Sequence, residues 1–189
     1  MSVIAQAGAK ERQLHKFGGS SLADVKCYLR VAGIMAEYSQ PGDMMVVSAA
    51  GSTTNQLINW LKLSQTDRLS AHQVQQTLRR YQSDLISGLL PAEIADGMIA
   101  DFIHDLERLA GLLDNGVNDA VYAEVVGHGE LWSARLMAEV LKLQGLDAAW
   151  LDARAFLRAE RSAQPQVDEG LSYPLLQQLM AQQDRKSVV

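Results

Sequence analysis

A lysine near the end of a short strand-like segment, followed one residue later by two glycines and two serines, carries the strongest chemical signal in the chain: Lys16-Phe17-Gly18-Gly19-Ser20-Ser21. Glycines let the backbone approach an anion with no Cβ in the way. A helix starting close behind adds free N–H groups and a dipole that favours negative charge. Lys16 supplies a compact positive charge, and Ser20 and Ser21 can cap the helix or donate to phosphate oxygens. These are the parts of a phosphate site, although a Gly-Gly-Ser-Ser turn ahead of a helix is equally explained as a cap. In a P-loop the lysine follows the glycines and stands on the helix; here it precedes them and stands on a strand, which argues against that class.

A second constellation is Val46-Val47-Ser48-Ala49-Ala50-Gly51-Ser52-Thr53-Thr54-Asn55, an apolar strand end running into small and hydroxyl residues. Open α/β sheets bind ligands at the carboxyl ends of their strands, so this loop is placed to receive a small polar substrate. The same hydroxyls could serve as a turn and a helix cap, and Ser52, Thr53 and Thr54 cannot all face a substrate. Glu130 follows Gly127-His128-Gly129 and is expected in the first turn of a helix. A carboxylate there either gains a few tenths of a kcal/mol from the dipole or stands ready to pair with an ammonium group. Asp152 and Arg154 are explained by an ion pair or loop hydrogen bonds as well as by catalysis. His128 reads as a loop residue, and His15, His72 and His104 as isolated structural ones. No His/Cys/Asp cluster has ligand spacing, so no metal ligand is assigned.

In this order, the hexapeptide Lys16–Ser21, the stretch Val46–Asn55, the pair Gly129-Glu130 and the run Trp150-Leu151-Asp152-Ala153-Arg154 resemble the aspartokinases, enzymes of the amino acid kinase fold. The resemblance covers nearly the whole chain. With its long helical stretch between the second and third motifs, it looks most like the kinase end of bifunctional aspartokinase–homoserine dehydrogenases of type II. It implies ATP-dependent phosphorylation of the β-carboxylate of L-aspartate, the first step towards lysine, threonine and methionine, with ATP as co-substrate and Mg²⁺ beside it. It further implies that Lys16 is catalytic and contacts the ATP phosphates together with Gly18, Gly19 and Ser20. Ser48, Ala49 and Thr54 then belong to the aspartate site, and Glu130 pairs with the α-ammonium group. The chemistry suits such residues: the acceptor carboxylate is already ionised at neutral pH, so positioning and positive charge matter more than a general base.

The same resemblance leads us to expect residues 1–189 to be the N-terminal, aspartate-binding portion of a kinase domain. The adenine pocket, a second glycine-rich loop and a catalytic aspartate would lie beyond it, so these 189 residues alone are expected to be inactive. A homo-oligomer is expected for the parent enzyme. NAD(P) is not expected to bind here, because no Gly-x-Gly-x-x-Gly fingerprint occurs. Two rivals stay open: another member of the fold acting on acetylglutamate, glutamate or carbamate, and a non-catalytic interaction module.

The elements that must position these residues follow from periodicity. Leu14 to Phe17 reads as a strand, and Val25, Leu29, Ala32 and Ala36 as the inner stripe of a helix over 21–38. Gln40-Pro41-Gly42-Asp43 breaks it, and Met44 to Val47 reads as a short buried strand of the parallel kind. Val74, Leu78, Tyr81, Leu85 and Leu89 form one helical stripe, and Ile94, Met98, Phe102, Leu106 and Leu109 a second beyond Pro91. Together they predict an antiparallel hairpin over about 65–115, a lid or side pack rather than part of the sheet. A helix over 130–143 stopped by Gly145, a strand over 148–151, a helix over 171–182 and a strand beginning near Arg185 complete the pattern. The predicted fold is α/β: a three-layer α/β/α sandwich around a mostly parallel sheet, with a helical hairpin insertion.

Composition narrows the function classes. A net charge of −5 with scattered Lys and Arg gives no basic face for nucleic acid. No apolar run approaches the ~20 residues that span a bilayer, so no membrane partner is expected. The N-terminus lacks a signal-peptide pattern, and the single cysteine, Cys27, fits the reducing cytoplasm and reads as helix packing.

Overall fold

The computed structural model describes residues 12–160, 165–182 and 187–189. Strand β1 (Leu14–Phe17) leads through a short 3-10 turn, Gly19–Leu22, into helix α1 (Val25–Tyr38) and back to β2 (Met44–Val47). The two strands pair in parallel, from Leu14 opposite Met44 to Phe17 opposite Val47. The turn between α1 and β2 is fixed by Gly42, at φ +90°, and by the buried Asp43 carboxylate. That carboxylate accepts the Gln13 and Gln40 N–H groups at 2.9 and 2.8 Å and contacts His15 Nε2 at 3.3 Å. One carboxylate thereby ties the start of β1 to the turn before β2.

Helix α1 starts later than the periodicity predicts. Asp24 caps it, accepting the Cys27 N–H at 2.8 Å, while Ser20 and Ser21 are taken into the tighter turn, where Ser21 N–H donates to Gly18 O at 2.9 Å. The inner face is Tyr28, Val31, Ala32 and Met35, and Leu29 of the predicted stripe is 45% exposed. Tyr28 can be fully buried because its hydroxyl meets Ser133 Oγ at 2.7 Å.

Four helices follow: α2 (Thr53–Ser64), α3 (Arg68–Leu89), α4 (Ala92–Asp114) and α5 (Asp119–Leu143). The predicted hairpin is α3 and α4, turned at Leu90-Pro91. Leu78, Leu85 and Leu89 of α3 and Phe102, Leu106 and Leu109 of α4 are buried in one core, and Phe102 meets Trp132 of α5 edge-on at 4.8 Å. The hairpin packs on α1, α2 and α5.

Helix α5 corrects the sequence reading most. It begins at Asp119, capped by Asn118, so Gly127, His128 and Gly129 are helical and Glu130 stands mid-helix rather than in a first turn. Two glycines each cost about 1 kcal/mol relative to alanine, which makes the stretch read as a break. Packing outweighs that cost.

Beyond Gly145, at φ +82°, come β3 (Ala148–Ala149), α6 (Glu169–Gln182) and β4 (Ser187–Val188). The third strand is shorter than predicted, although Leu151 N–H still donates to Val189 O at 2.8 Å. Arg185 and Lys186, at the predicted start of the last strand, lie outside the described residues. The sheet order is β1-β2-β4-β3, with every pairing parallel.

Alternation gives the sheet two unlike faces. Met45 and Val47 enter the core beneath the helices, whereas Leu14 and Val46 remain 62% and 47% exposed. The second strand is therefore buried on one face only. On the other face, Leu14, Met44 and Val46 border an apolar cavity of about 300 Å³ together with Leu176 of α6.

Candidate active site

Two loops leave the carboxyl ends of β1 and β2 and lie against each other. Ser48 N–H donates to Phe17 O at 3.1 Å, and Gly51 N–H to Gly19 O at 3.0 Å. Gly19 has to be glycine: a Cβ there would lie 2.6 Å from the Ala49 carbonyl oxygen. Gly51 adopts φ +53°, the left-handed conformation that favours glycine. The Gly-Gly and Ala-Gly elements of the two motifs thus form one contact.

Charged side chains of opposite sign hold consecutive residues of the second loop. The exposed Lys16 ammonium donates to Ser48 Oγ at 3.3 Å. The half-buried Glu130 carboxylate accepts the Ala49 N–H at 3.4 Å, a long bond. Glu130 reaches the loop because α5 approaches closely at Gly129, where a Cβ would come 2.7 Å from the Ala49 Cβ. Lys16 and Glu130, far apart in sequence, are brought together on the adjacent residues Ser48 and Ala49.

The remaining predicted residues divide. Gly18 lies beside Lys16, whose Nζ is 3.7 Å from where a Gly18 Cβ would stand, and Ser20 is exposed on the 3-10 turn. The helix-dipole part of the phosphate reading needs correction: the N-terminus of α1 is occupied by Asp24, whose carboxyl is held below its usual range by the Cys27 N–H. Positive charge in the first loop therefore comes from Lys16. In the second loop Thr53 is buried, donating from Oγ1 to Ala50 O at 2.6 Å, and Ser52 accepts from Gln56 Nε2 at 3.0 Å. Thr54 is half-buried on the first turn of α2.

Elsewhere on α5 lies a network that the sequence showed only in fragments. His128, buried in α5, contacts Glu124 O through Nδ1 at 2.6 Å and the Arg108 guanidinium through Nε2 at 2.8 Å. Arginine only donates, so Nε2 must accept and Nδ1 carries the proton: the ring is neutral. Burial, the largest influence, holds its pKa below the ordinary histidine value against the opposing pull of the Glu124 carbonyl and carboxylate. Glu124 pairs with Arg108 at 2.8 Å and Arg154 at 3.2 Å, and Arg154 pairs with Asp152 at 2.7 Å. Asp152 and Arg154 are thus an ion pair tying the loop after β3 to α5. Beside them, Asp105 accepts from Trp132 Nε1 and Arg135, and Arg135 lies 4.8 Å over the Trp150 ring. The sequence offered the pairing of Asp152 with Arg154, whereas the helical spacing of Glu124 and His128 was hidden by the two glycines.

The parallel strands β1 and β2 thus present two apposed loops at their carboxyl edge, with Lys16 near the end of β1 and Glu130 of α5 both against the second loop. The sequence profile of the amino acid kinase family matches residues 11–189, and the chain belongs to that family. It is 85% identical over all 189 residues to the bifunctional aspartokinase/homoserine dehydrogenase 2 of Escherichia coli, and covers 23% of that protein. It is 28% identical over 162 residues to the chloroplastic bifunctional aspartokinase/homoserine dehydrogenase 1 of Arabidopsis thaliana, matching 82% of this chain and 18% of that one. Escherichia coli aspartokinase III, solved with aspartate and ADP, superposes with a TM-score of 0.82 at 25% identity, over 94% of this chain and 40% of its own. The chain therefore spans about a quarter or less of the length of these two curated relatives.

Proposed function

We propose that this chain is the aspartate-binding portion of an aspartate kinase, which phosphorylates the β-carboxylate of L-aspartate at the expense of ATP. The observation that carries the reading is the convergence of Lys16 and Glu130 on the adjacent residues Ser48 and Ala49. An aspartate substrate presents an ammonium group and carboxylates together, and this loop meets both a carboxylate, Glu130, and an ammonium, Lys16. Glu130 pairs with the α-ammonium of aspartate, while Ser48, Ala49 and Thr54 line its site. Lys16, with Gly18, Gly19 and Ser20, meets the phosphates, drawing two anions together and offsetting the charge that develops on the transferring group.

Among the described residues no three His, Cys, Asp or Glu side chains gather to hold a metal ion. A magnesium ion would therefore be held chiefly by the phosphates of ATP, and no step is assigned to it. Among the described residues no helix is long and apolar enough to cross a membrane. We assign the enzyme to the cytoplasm on a separate ground, its single cysteine, Cys27, which suits a reducing compartment. By likeness to relatives named as bifunctional aspartokinase/homoserine dehydrogenases, we assign the activity to the head of the pathway to threonine, methionine and lysine, and its parent enzyme to a homo-oligomer.

The test exchanges these 189 residues for the matching segment of the Escherichia coli relative and measures phosphorylation of aspartate, glutamate, acetylglutamate and carbamate in a coupled assay. Turnover selective for aspartate is the expected result, and selectivity for another acceptor overturns the reading. Running the 189 residues alone in the same assay checks the expectation that they do not turn over.

A further inference from the structure

We propose that Tyr81 and Gln82, neighbours on α3 of the helical hairpin, are positioning residues that hold the two ligand loops in their binding geometry. The inference rests on the reading of those loops as the aspartate and phosphate ends of a kinase site. Tyr81 Oη donates to Ala23 O at 3.0 Å, at the end of the first loop. The same hydroxyl lies 2.8 Å from where a Gly51 Cβ would stand, so the second loop passes directly beneath it. Gly51 in turn donates to Gly19 O at 3.0 Å. One hydroxyl therefore sits where the two loops meet.

Gln82 takes the other side. Its Nε2 donates to Thr53 Oγ1 at 3.0 Å in a buried bond, and that hydroxyl donates to Ala50 O at 2.6 Å. The relay ends one residue from Ala49, whose N–H meets Glu130. Burial raises the Tyr81 pKa, so its hydroxyl stays protonated as a donor. The hairpin backbone is held against the loop region as well: a Cβ on Gly88 would come 2.7 Å from Val25 Cγ2, at the start of α1. Helix α3 thus reaches both loops through bonds to Ala23 and Thr53 rather than to Lys16 or Glu130, and the hairpin sets aspartate affinity from outside the site.

The test compares Tyr81→Phe and Gln82→Leu with the exposed control Arg79→Ala on the same helix, using amide hydrogen exchange on the 189-residue chain. Expected are exchange faster by about 10-fold at residues 19–24 and 49–53, and unchanged rates in α4, because local opening follows the local contacts. Titration with L-aspartate should show weakening of about 10-fold for each variant, the loss of roughly one hydrogen bond. In the exchanged Escherichia coli enzyme the aspartate KM should rise with kcat within about twofold, since the variants disturb binding geometry rather than transition-state charge. Unchanged loop exchange in both variants overturns the inference, as does equal acceleration throughout the hairpin, which marks a purely structural role. If the loops loosen as expected while the unsubstituted chain and exchanged enzyme ignore aspartate, the clamp stands and the assigned substrate falls.

Discussion

Lys16 and Glu130 grip neighbouring residues of one loop, yet their substitution should fail in different ways. Lys16 is exposed near the end of β1 and held by Ser48 Oγ, poised to meet a phosphoryl group, so its contribution should grow as charge moves onto that group. Lys16→Ala in the exchanged Escherichia coli enzyme should lower kcat about 10²-fold or more, as removal of a preorganised electrostatic donor does. A change confined to KM would mark it as a uniform binder instead. Glu130 lies mid-helix, which removes the dipole role that a first-turn position would have given it. Glu130→Gln should therefore weaken aspartate by about 2 kcal/mol, the lower end for truncating a charged partner, because the amide oxygen still accepts one bond. The KM for ATP should barely move, and equal losses for both substrates would point to a collapsed cleft.

Elements were legible in the sequence where one kind of signal acted alone. Both strands before the site, Leu14–Phe17 and Met44–Val47, coincide with their apolar runs, and the α3–α4 hairpin follows two clean stripes broken by Pro91. The reading failed where tertiary contact overrode local preference. Asp24 displaced Ser20 and Ser21 as the cap, and α5 ran through two glycines. The loop residues of the site could be picked out, but their clamp on α3 and the His128 network could not, since long-range side-chain bonds leave no period in a sequence. The two glycines of α5 make a paired test. Gly127 faces open space, so Gly127→Ala should stabilise the chain by about 0.5–1 kcal/mol through helix propensity. Gly129→Ala drives a methyl to 2.7 Å from the Ala49 Cβ, and the resulting overpacking of about 1–3 kcal/mol should outweigh the propensity gain and weaken aspartate binding. Thermal melts with an aspartate titration read both, and identical behaviour of the two variants would remove the close approach of α5 as the reason for Gly129.

For the whole molecule, the buried ionisable groups predict a loss of stability in two stages on acidification. His128 is buried neutral between Arg108, Glu124 and Trp132, with the charge of Asp105 also acting on it and Arg154 paired to Glu124, and its folded pKa lies below the unfolded value. Between those two values the unfolded chain binds the extra proton, so stability rises with pH there and is lost as pH falls below about 6.5. A proton arriving at Nε2 would face the Arg108 guanidinium and break that bond. One group limits this stage to about 1.4 kcal/mol per pH unit, so it should be a shallow ramp rather than a collapse. The second stage belongs to the carboxylates. In Asp43 and Glu124, burial pushes the pKa up but is outweighed, by the Gln13 and Gln40 N–H groups in one and by Arg108, His128 and Arg154 in the other. The Arg154 bond leads the lowering in Asp152. Depressed carboxylates contribute stability above their unfolded values and lose it as pH falls through about 4 and below. Urea midpoints from pH 7.5 to 3.5 should show the ramp first and a steeper fall afterwards. His128→Gln should start less stable at pH 7.5 and lack the first stage while keeping the second. An unchanged slope between pH 7 and 5 in that variant would mean that the proton is taken up elsewhere, and the neutral histidine would no longer explain the acid side of the curve.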